Sequence, residues 1–504
     1  MSNPDRFGKR GLFAIFPLIG IAFALGGCAV NVPPPAVTVA APPQWYASLP
    51  TSNSANSLPH NGSLSTLSLW WQQQNEPLLV ELIDAAQRVG PSVITARANI
   101  EQARAARSIS GGALLPLLDG LGSVSRGSVP QGSGASGTSG AGSGSTIATT
   151  AQLGLQASWE IDVFGKNAAT RDAAQERLLA SQAQWHDARV VVAAVVAGQY
   201  YSFRSCEKQL AMTALDAQSR AQTSRLTALA AQAGFGAPAV SALARASAAE
   251  GASRLIQQRA QCAVMMKTLV ALTALDEPLL AQKLERSLLV APDGQPQRPI
   301  VNVASVPAQA LGQRPDVYSA ARYVAAASFD VGSAAAARLP RLALLGNIGA
   351  SRTRVSGMSQ SVGTWSFGPL SLTLPLLDGG VSQGNLDIAN ARYEEAAGKY
   401  KSVVRLAVRE VEEALVNLQS TADRASDTDI AVEGYRASFA GTEARYKAGL
   451  ASLVELEESR RTLLAAQGAL LSLQLERRNA WIALYRALGG GWQLDASAEL
   501  AQQK

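Results

Sequence analysis

The sequence predicts an α+β membrane protein made of two related halves, each giving two β-strands and a hairpin of long coiled-coil helices. Three observations predict it. The chain matches itself at constant offsets, each half holds an amphipathic strand of membrane-crossing length, and each such strand precedes a proline-free stretch of more than 60 residues.

The elements follow in chain order. A basic start and the apolar run Gly11 to Leu25 form a secretory signal over 1–27, too short for a spanning helix. It ends in Leu25-Gly26-Gly27-Cys28, where small residues before a cysteine fit a peptidase site and the thiol can accept a lipid. This ending resembles a bacterial lipoprotein signal, with Cys28 as mature N-terminus. Ala29 in place of Asp directs the resemblance toward outer-membrane sorting. Residues 28–66, rich in Pro, Ser, Asn and Ala, read as an extended, lipid-anchored tether.

The first repeat, 67–276, and the second, 314–489, are joined by 277–313 and followed by a tail over 490–504. Gly90-Pro91-Ser92-Val93 lies over Arg314-Pro315-Asp316-Val317, and Leu115-Pro116 over Leu339-Pro340, both at offset 224. Later matches, Phe164-Gly165-Lys166 over Asp378-Gly379-Gly380 and Ala233-Gly234-Phe235-Gly236 over Ala448-Gly449-Leu450-Ala451, fall at 214 and 215. The difference sits in Gln131 to Ser145, a Gly/Ser/Ala/Thr tract that reads as a lengthened loop. The connector, proline-bearing, reads as irregular.

In the first half the clearest strand is Gln152 to Val163, where Leu153, Leu155, Ala157, Trp159, Ile161 and Val163 alternate with polar residues and Gly154. Such a period suits a strand with lipid outside and water inside, as well as a half-buried strand in a soluble sandwich. In its counterpart, Thr364 to Leu376, the apolar phase flips at Pro369, which calls for a bulge. Fainter partner strands fall near 115–125 and 339–350. Four strands cannot close a barrel, so the protein is expected to oligomerise. Helices are expected over Asn167 to Ala233, with its hairpin reaching 275, and over Ser382 to Tyr446, within a hairpin ending at 488. In the second helix Tyr400, Val404, Ala407, Val411, Ala414 and Leu418 step by four and three, a coiled-coil seam.

Composition narrows the function. Among 504 residues there are only two histidines, His60 and His186, and three cysteines, Cys28, Cys206 and Cys262. Metal clusters, Cys/His or Ser/His catalysis and a redox CxxC lack raw material, so no enzyme, metal or cofactor is expected. The net charge of +6 is spread without a dense basic block, which gives nucleic acid no surface.

These residues together resemble the TolC-like outer-membrane factors, in the lipoprotein branch serving tripartite, RND-type efflux systems. The carriers are the lipobox at Cys28, Trp70-Trp71 with Glu76-Pro77-Leu78-Leu79, Leu311-x-x-Arg314-Pro315-Asp316-Val317, Leu374-Pro375-Leu376-Leu377-Asp378-Gly379-Gly380, and Arg445-Tyr446-x-x-Gly449-x-x-Ser452. The resemblance implies a homotrimer whose chains complete one 12-stranded barrel above a periplasmic helical tunnel. It implies a passive exit channel for small molecules or drugs, set in outer-membrane lipid. An inner-membrane pump would supply the energy, through a periplasmic adaptor contacting the helical tips near Gly234, Gly236 and Gly449. A channel for type I protein secretion shares this fold, and a non-conducting lipoprotein rod is the remaining alternative, disfavoured by the polar strand face.

By motif position, Tyr446, Glu455 and Glu458 resemble residues that line and close the periplasmic aperture of this family. Glu455 and Glu458 lie three apart and share a helix face, where three chains would gather six carboxylates. Ala451 stands where the family's best-known tip has an arginine, so that part of the closure is missing. The alternative is an ordinary acidic helix start. Cys206 and Cys262 flank the first tip at nearly equal distances. In an antiparallel hairpin they reach similar height, which fits either a disulfide or two buried thiols.

Overall fold

The computed structural model describes residues 32–39, 45–47, 70–73, 76–130, 145–290, 311–312, 314–355 and 357–491. The lipobox with Cys28, most of the tether, the Gly/Ser tract over 131–144, most of the connector and nearly all of the tail lie outside them. Two compact units divide the chain: 1–37, 102–178 and 322–398 form one, and 38–101, 179–321 and 399–504 the other.

After a short turn at Trp70–Gln73 come α1 (Pro77–Val89), α2 (Pro91–Gly112), β1 (Leu117–Pro130), β2 (Ser145–Ile161), α3 (Lys166–Gln232), α4 (Pro238–Thr273) and α5 (Glu277–Val290). The second half gives α6 (Pro315–Ala336), β3 (Arg341–Val355), β4 (Met358–Thr373), α7 (Val381–Asp423), α8 (Ala425–Lys447) and α9 (Leu453–Ala487). Proline stands first in α1, α2, α4 and α6, where its missing N–H needs no partner.

The first unit carries one antiparallel sheet in the order β1-β2-β3-β4. Leu155 lies opposite both Gly120 and Ile348, and Ile348 opposite Trp365, so one sheet face collects Leu153, Leu155, Ile348, Trp365, Leu370 and Leu372, all exposed. At Pro369 the register shifts: Leu344 pairs with Leu370 but Gly346 with Phe367. The extra residue in β4 returns its side chains to phase, as the sequence pattern requires. All four strands differ from their predicted limits, β1 and β3 by five residues at their far ends. Cross-strand hydrogen bonds extend them through polar and glycine-rich sequence.

Strand passes to helix alike in both halves. The Asp162 carboxylate accepts N–H groups from Asn167 and Ala168, and that of Asp378 from Gly380 and Ser382. Each aspartate satisfies donors at a helix start.

The second unit is helical. Its core joins Leu79, Leu82, Val196, Tyr200, Leu269, Leu280, Leu284, Leu415 and Leu484, with Trp71 edge-on to Tyr485 at 4.9 Å. The seam predicted on α7 is buried at Val404, Ala407, Val411, Ala414 and Leu418.

Three expectations need correction. The predicted single helix over Ser382 to Tyr446 is interrupted at Arg424, between α7 and α8. The connector is not irregular throughout, because Glu277–Val290 is helical: Pro278 sits in the first turn, and Leu280 and Leu284, one turn apart, are buried in the core. Nor is the tether wholly free of the body. Ser328 Oγ donates to the Pro33 carbonyl at 2.6 Å, Tyr393 Oη to that of Pro34 at 2.9 Å, and Val32 packs against Gly332. Farther on, Trp45 is buried and the N–H groups of Tyr46 and Ala47 each reach a Glu412 carboxylate oxygen at 2.7 Å.

Candidate functional site

The two turns of the helical hairpins are built alike. At the first, Phe235 N donates to Ala230 O and Gly234 N to Ala231 O; at the second, Leu450 N donates to Arg445 O and Gly449 N to Tyr446 O. This pair of bonds terminates a helix with a left-handed residue, and Gly234 and Gly449 have φ of 80° and 75°. Phe235 and Leu450, which follow, are 90% and 70% exposed. Gly236 approaches the backbone of Ala230 and Ala231, where an added Cβ would lie 3.3 Å from Ala231 N.

Beyond the second turn the acids divide by role. Glu455 accepts from Ser452 N while Ser452 Oγ accepts from Glu455 N, a reciprocal cap on α9. Glu458 pairs with Arg461 at 3.1 Å, both exposed. Tyr446 is half-buried against Leu453 and Leu456 with Ala244 and Phe439. Burial, then the charge of Glu457, raise its phenol above the ordinary range, with Arg460 opposing.

Glu457, between the two exposed acids on α9, points inward. Its carboxylate accepts from Arg220 Nη1 and Ser247 Oγ at 2.8 Å and from Arg460 Nη1 at 2.5 Å. Arg220 Nε also donates to Asp216, and Arg460 Nη2 to Ser219. Two carboxylates and two guanidinium groups, all buried, balance in charge and join α3, α4 and α9. Room for Arg220 comes from Gly251, where a Cβ would lie 2.8 Å from Arg220 Cδ. The signal was present: Leu453, Leu456, Glu457, Arg460 and Leu463 share one helical face.

A second cluster surrounds the motif that opens the second half. Arg314 pairs with Asp316 and Glu410 and donates to the Ala487 carbonyl. Burial pushes the Asp187 carboxyl to about 6, helped by Asp316 and Glu410 and opposed by Arg314 and Arg486. The same burial, with Arg189, lowers His186 to about 4.

Cys206 on α3 and Cys262 on α4 are joined by a disulfide, their Cα atoms 5.7 Å apart. Among the described residues no group of acids, histidines and cysteines could hold a metal, and no helix is long and apolar enough to cross a membrane. The strands are the only described elements with a continuous exposed apolar face of the required length.

Comparison with known proteins agrees over most of the chain. The model of the family described as outer membrane efflux protein matches residues 82–275 and 306–490. The pyoverdine export outer membrane protein OpmQ of Pseudomonas putida is 30% identical, across 95% of this chain and 98% of its own. The solvent efflux pump outer membrane protein SrpC of Pseudomonas putida is 28% identical, across 96% and 99%. Among solved structures, a membrane protein from Pseudomonas aeruginosa is similar with a TM-score of 0.73 at 27% identity, covering 89% of this chain and 98% of that one. The outer-membrane channel OprN, at 24% identity, shares the fold with a TM-score of 0.76 across 92% and 100%.

Proposed function

The chain belongs to the outer membrane efflux protein family, and from that premise we propose that it is the passive outer-membrane exit channel of a tripartite efflux pump, conducting small molecules or drugs. The observation that carries this reading is the open four-stranded sheet, apolar on one face and polar on the other. Such a sheet leaves two unpaired edges, intolerable in lipid until they close. Three chains would give twelve strands and a barrel with water inside. The family is one of channels, and nothing in this arrangement asks for a catalytic group.

In the proposal, Cys28 carries a covalent lipid as a second anchor. The tips at Gly234, Gly236 and Gly449 meet a periplasmic adaptor, which links them to an inner-membrane pump. Tyr446, Glu455 and Glu458 line the aperture, Glu455 and Glu458 being exposed on α9. Purified protein in a planar bilayer is expected to give stable channel conductance. A correctly assembled oligomer that does not conduct would refute the exit-channel reading.

A further inference from the structure

The sheet carries an unbalanced charge at one end of one face. From Gly120 to Trp159 and from Leu342 to Leu377 the sequence contains no acid, and its only bases are Arg126, Arg352 and Arg354. Strand pairing gathers these three. Arg126 and Arg354 lie opposite Thr149 from either side, and Arg352 lies opposite Ala151, one step nearer the helices. All are exposed, and all stand on the face of Leu153, Leu155 and Ile348, because residues paired across strands share a face. The nearest strand acids, Asp119 and Glu160, lie toward the helices on the other face.

Arginine on a lipid-facing surface is costly at the bilayer midplane and nearly free at the border. These arginines stand at the border. Ile161 to Ala151 is ten residues, about 33 Å of strand, which a tilt of about 40° reduces to the roughly 25 Å height of an apolar band. Arg352 Nη2 donates to Ser359 Oγ at 3.5 Å, in the row of Arg354, so its guanidinium leans toward the hairpin ends and away from that band. On the helix side of the arginines a shallow hollow of about 480 Å³ is lined by Gly122, Val124, Ala151, Leu153, Ala350 and Arg352. It forms because Leu153 stands between Gly122 and Ala350, and Ala350 faces Gly363, which leaves little side chain on either side.

We propose that this corner of the sheet binds a phosphorylated glycolipid of the outer leaflet, its phosphate held by the three guanidinium groups and an acyl chain resting in the hollow. The arginines lie toward the hairpin ends, away from the helices, which in an outer-membrane channel is the outer leaflet; the site rests on that reading. Arg126 and Arg354 are two strand spacings apart, about 10 Å, so their forks reach one phosphate from both sides. Charge selects the phosphate, and the hollow selects a lipid over free phosphate.

The test uses full-length protein extracted in mild detergent, washed free of lipid and titrated with lipid A bearing two phosphates, bound lipid being counted by native mass spectrometry. Combining Arg126→Gln, Arg352→Gln and Arg354→Gln is expected to weaken binding about tenfold or more. Arg341→Gln, at the helix end on the other face, is expected to leave it unchanged. Dephosphorylated lipid A is expected to bind the wild type as weakly as intact lipid A binds the triple variant. Ala350→Trp fills the hollow with every arginine kept; it is expected to weaken binding as well and covers a triple variant that does not assemble. Unchanged binding in the triple variant or in Ala350→Trp, an equal loss in Arg341→Gln, or equal binding of dephosphorylated lipid A would overturn the proposal. Displacement by equimolar inorganic phosphate would overturn the lipid as occupant. Conductance of the same preparations separates the two readings: a wild type that conducts but holds no lipid A overturns this site alone, and one that holds lipid A without conducting refutes only the exit channel.

Discussion

Glu457 and Glu458 are adjacent, identical in chemistry and opposite in situation, which makes them a sharp test of the buried network. Replacing Glu457 with Ala strips the acceptor from Arg220, Arg460 and Ser247 and leaves an excess buried positive charge. Removing one partner of a buried ion pair costs about 3–5 kcal/mol. Glu458→Ala breaks one exposed pair with Arg461, worth about 0.5 kcal/mol or less. Hydrogen exchange on the intact protein in detergent reads the difference locally: amides over Leu456–Leu463 are expected to exchange about 10²- to 10⁴-fold faster in Glu457→Ala, with little change in Glu458→Ala. Arg220→Met combined with Glu457→Leu is expected to recover much of the protection, since the remaining pair of Asp216 and Arg460 is again balanced. Equal, small effects of the two single substitutions would refute a network that joins α9 to α3 and α4.

Three further outcomes are expected. Glu455→Gln with Glu458→Gln is expected to reduce cation selectivity and weaken block by multivalent cations in single-channel recordings, because carboxylates focused in a narrow aperture attract cations; unchanged selectivity in assembled protein would remove them from it. Cys28→Ser, exported through a non-lipoprotein signal, is expected to remain in the outer membrane through its strands, and a soluble periplasmic product would contradict the barrel. Asp187→Asn is expected to stabilise the protein near pH 7 by up to about 3 kcal/mol. With a folded carboxyl near 6 and an ordinary value of 3.8, the wild type has its full stability from this group below about pH 4 and loses it as pH rises through 6. His186 acts in the opposite sense, losing stability as pH falls from 6.5 through 4, so the difference in thermal midpoint between wild type and Asp187→Asn is the quantity to follow from pH 4 to 7.

The parts legible in sequence were those with a period or a copy. The seam from Val404 to Leu418 repeats every three or four residues, and the phase flip at Pro369 announced the register shift there. Leu117–Pro130 was faint because Gly120, Gly122 and Gly127 take places that side chains would otherwise mark; its extent comes from pairing with β2. The interruption at Arg424 carries no proline or glycine. Glu277–Val290 falls in the connector that its prolines mark as irregular, but Pro278 stands in the first turn of a helix, where a missing N–H needs no partner. At the tip, periodicity would have separated Glu457 from its exposed neighbours, but no local pattern joins it to Arg220, 237 residues away. Asp187 was equally hidden, since the charges around it come from distant segments.

The docked stretch at Val32 to Pro34 sets a leash. From Cys28 to Val32 is four residues, which extended chain spans in about 14 Å at most. With Cys28 acylated as proposed, the residue that carries the lipid stays within about that distance of Val32, which packs against Gly332 on the helix leading into β3. The lipid would then act as a depth gauge, holding the strand bases at one leaflet while the sheet is still open. Lengthening the leash, rather than removing the lipid, would separate this gauging from simple attachment.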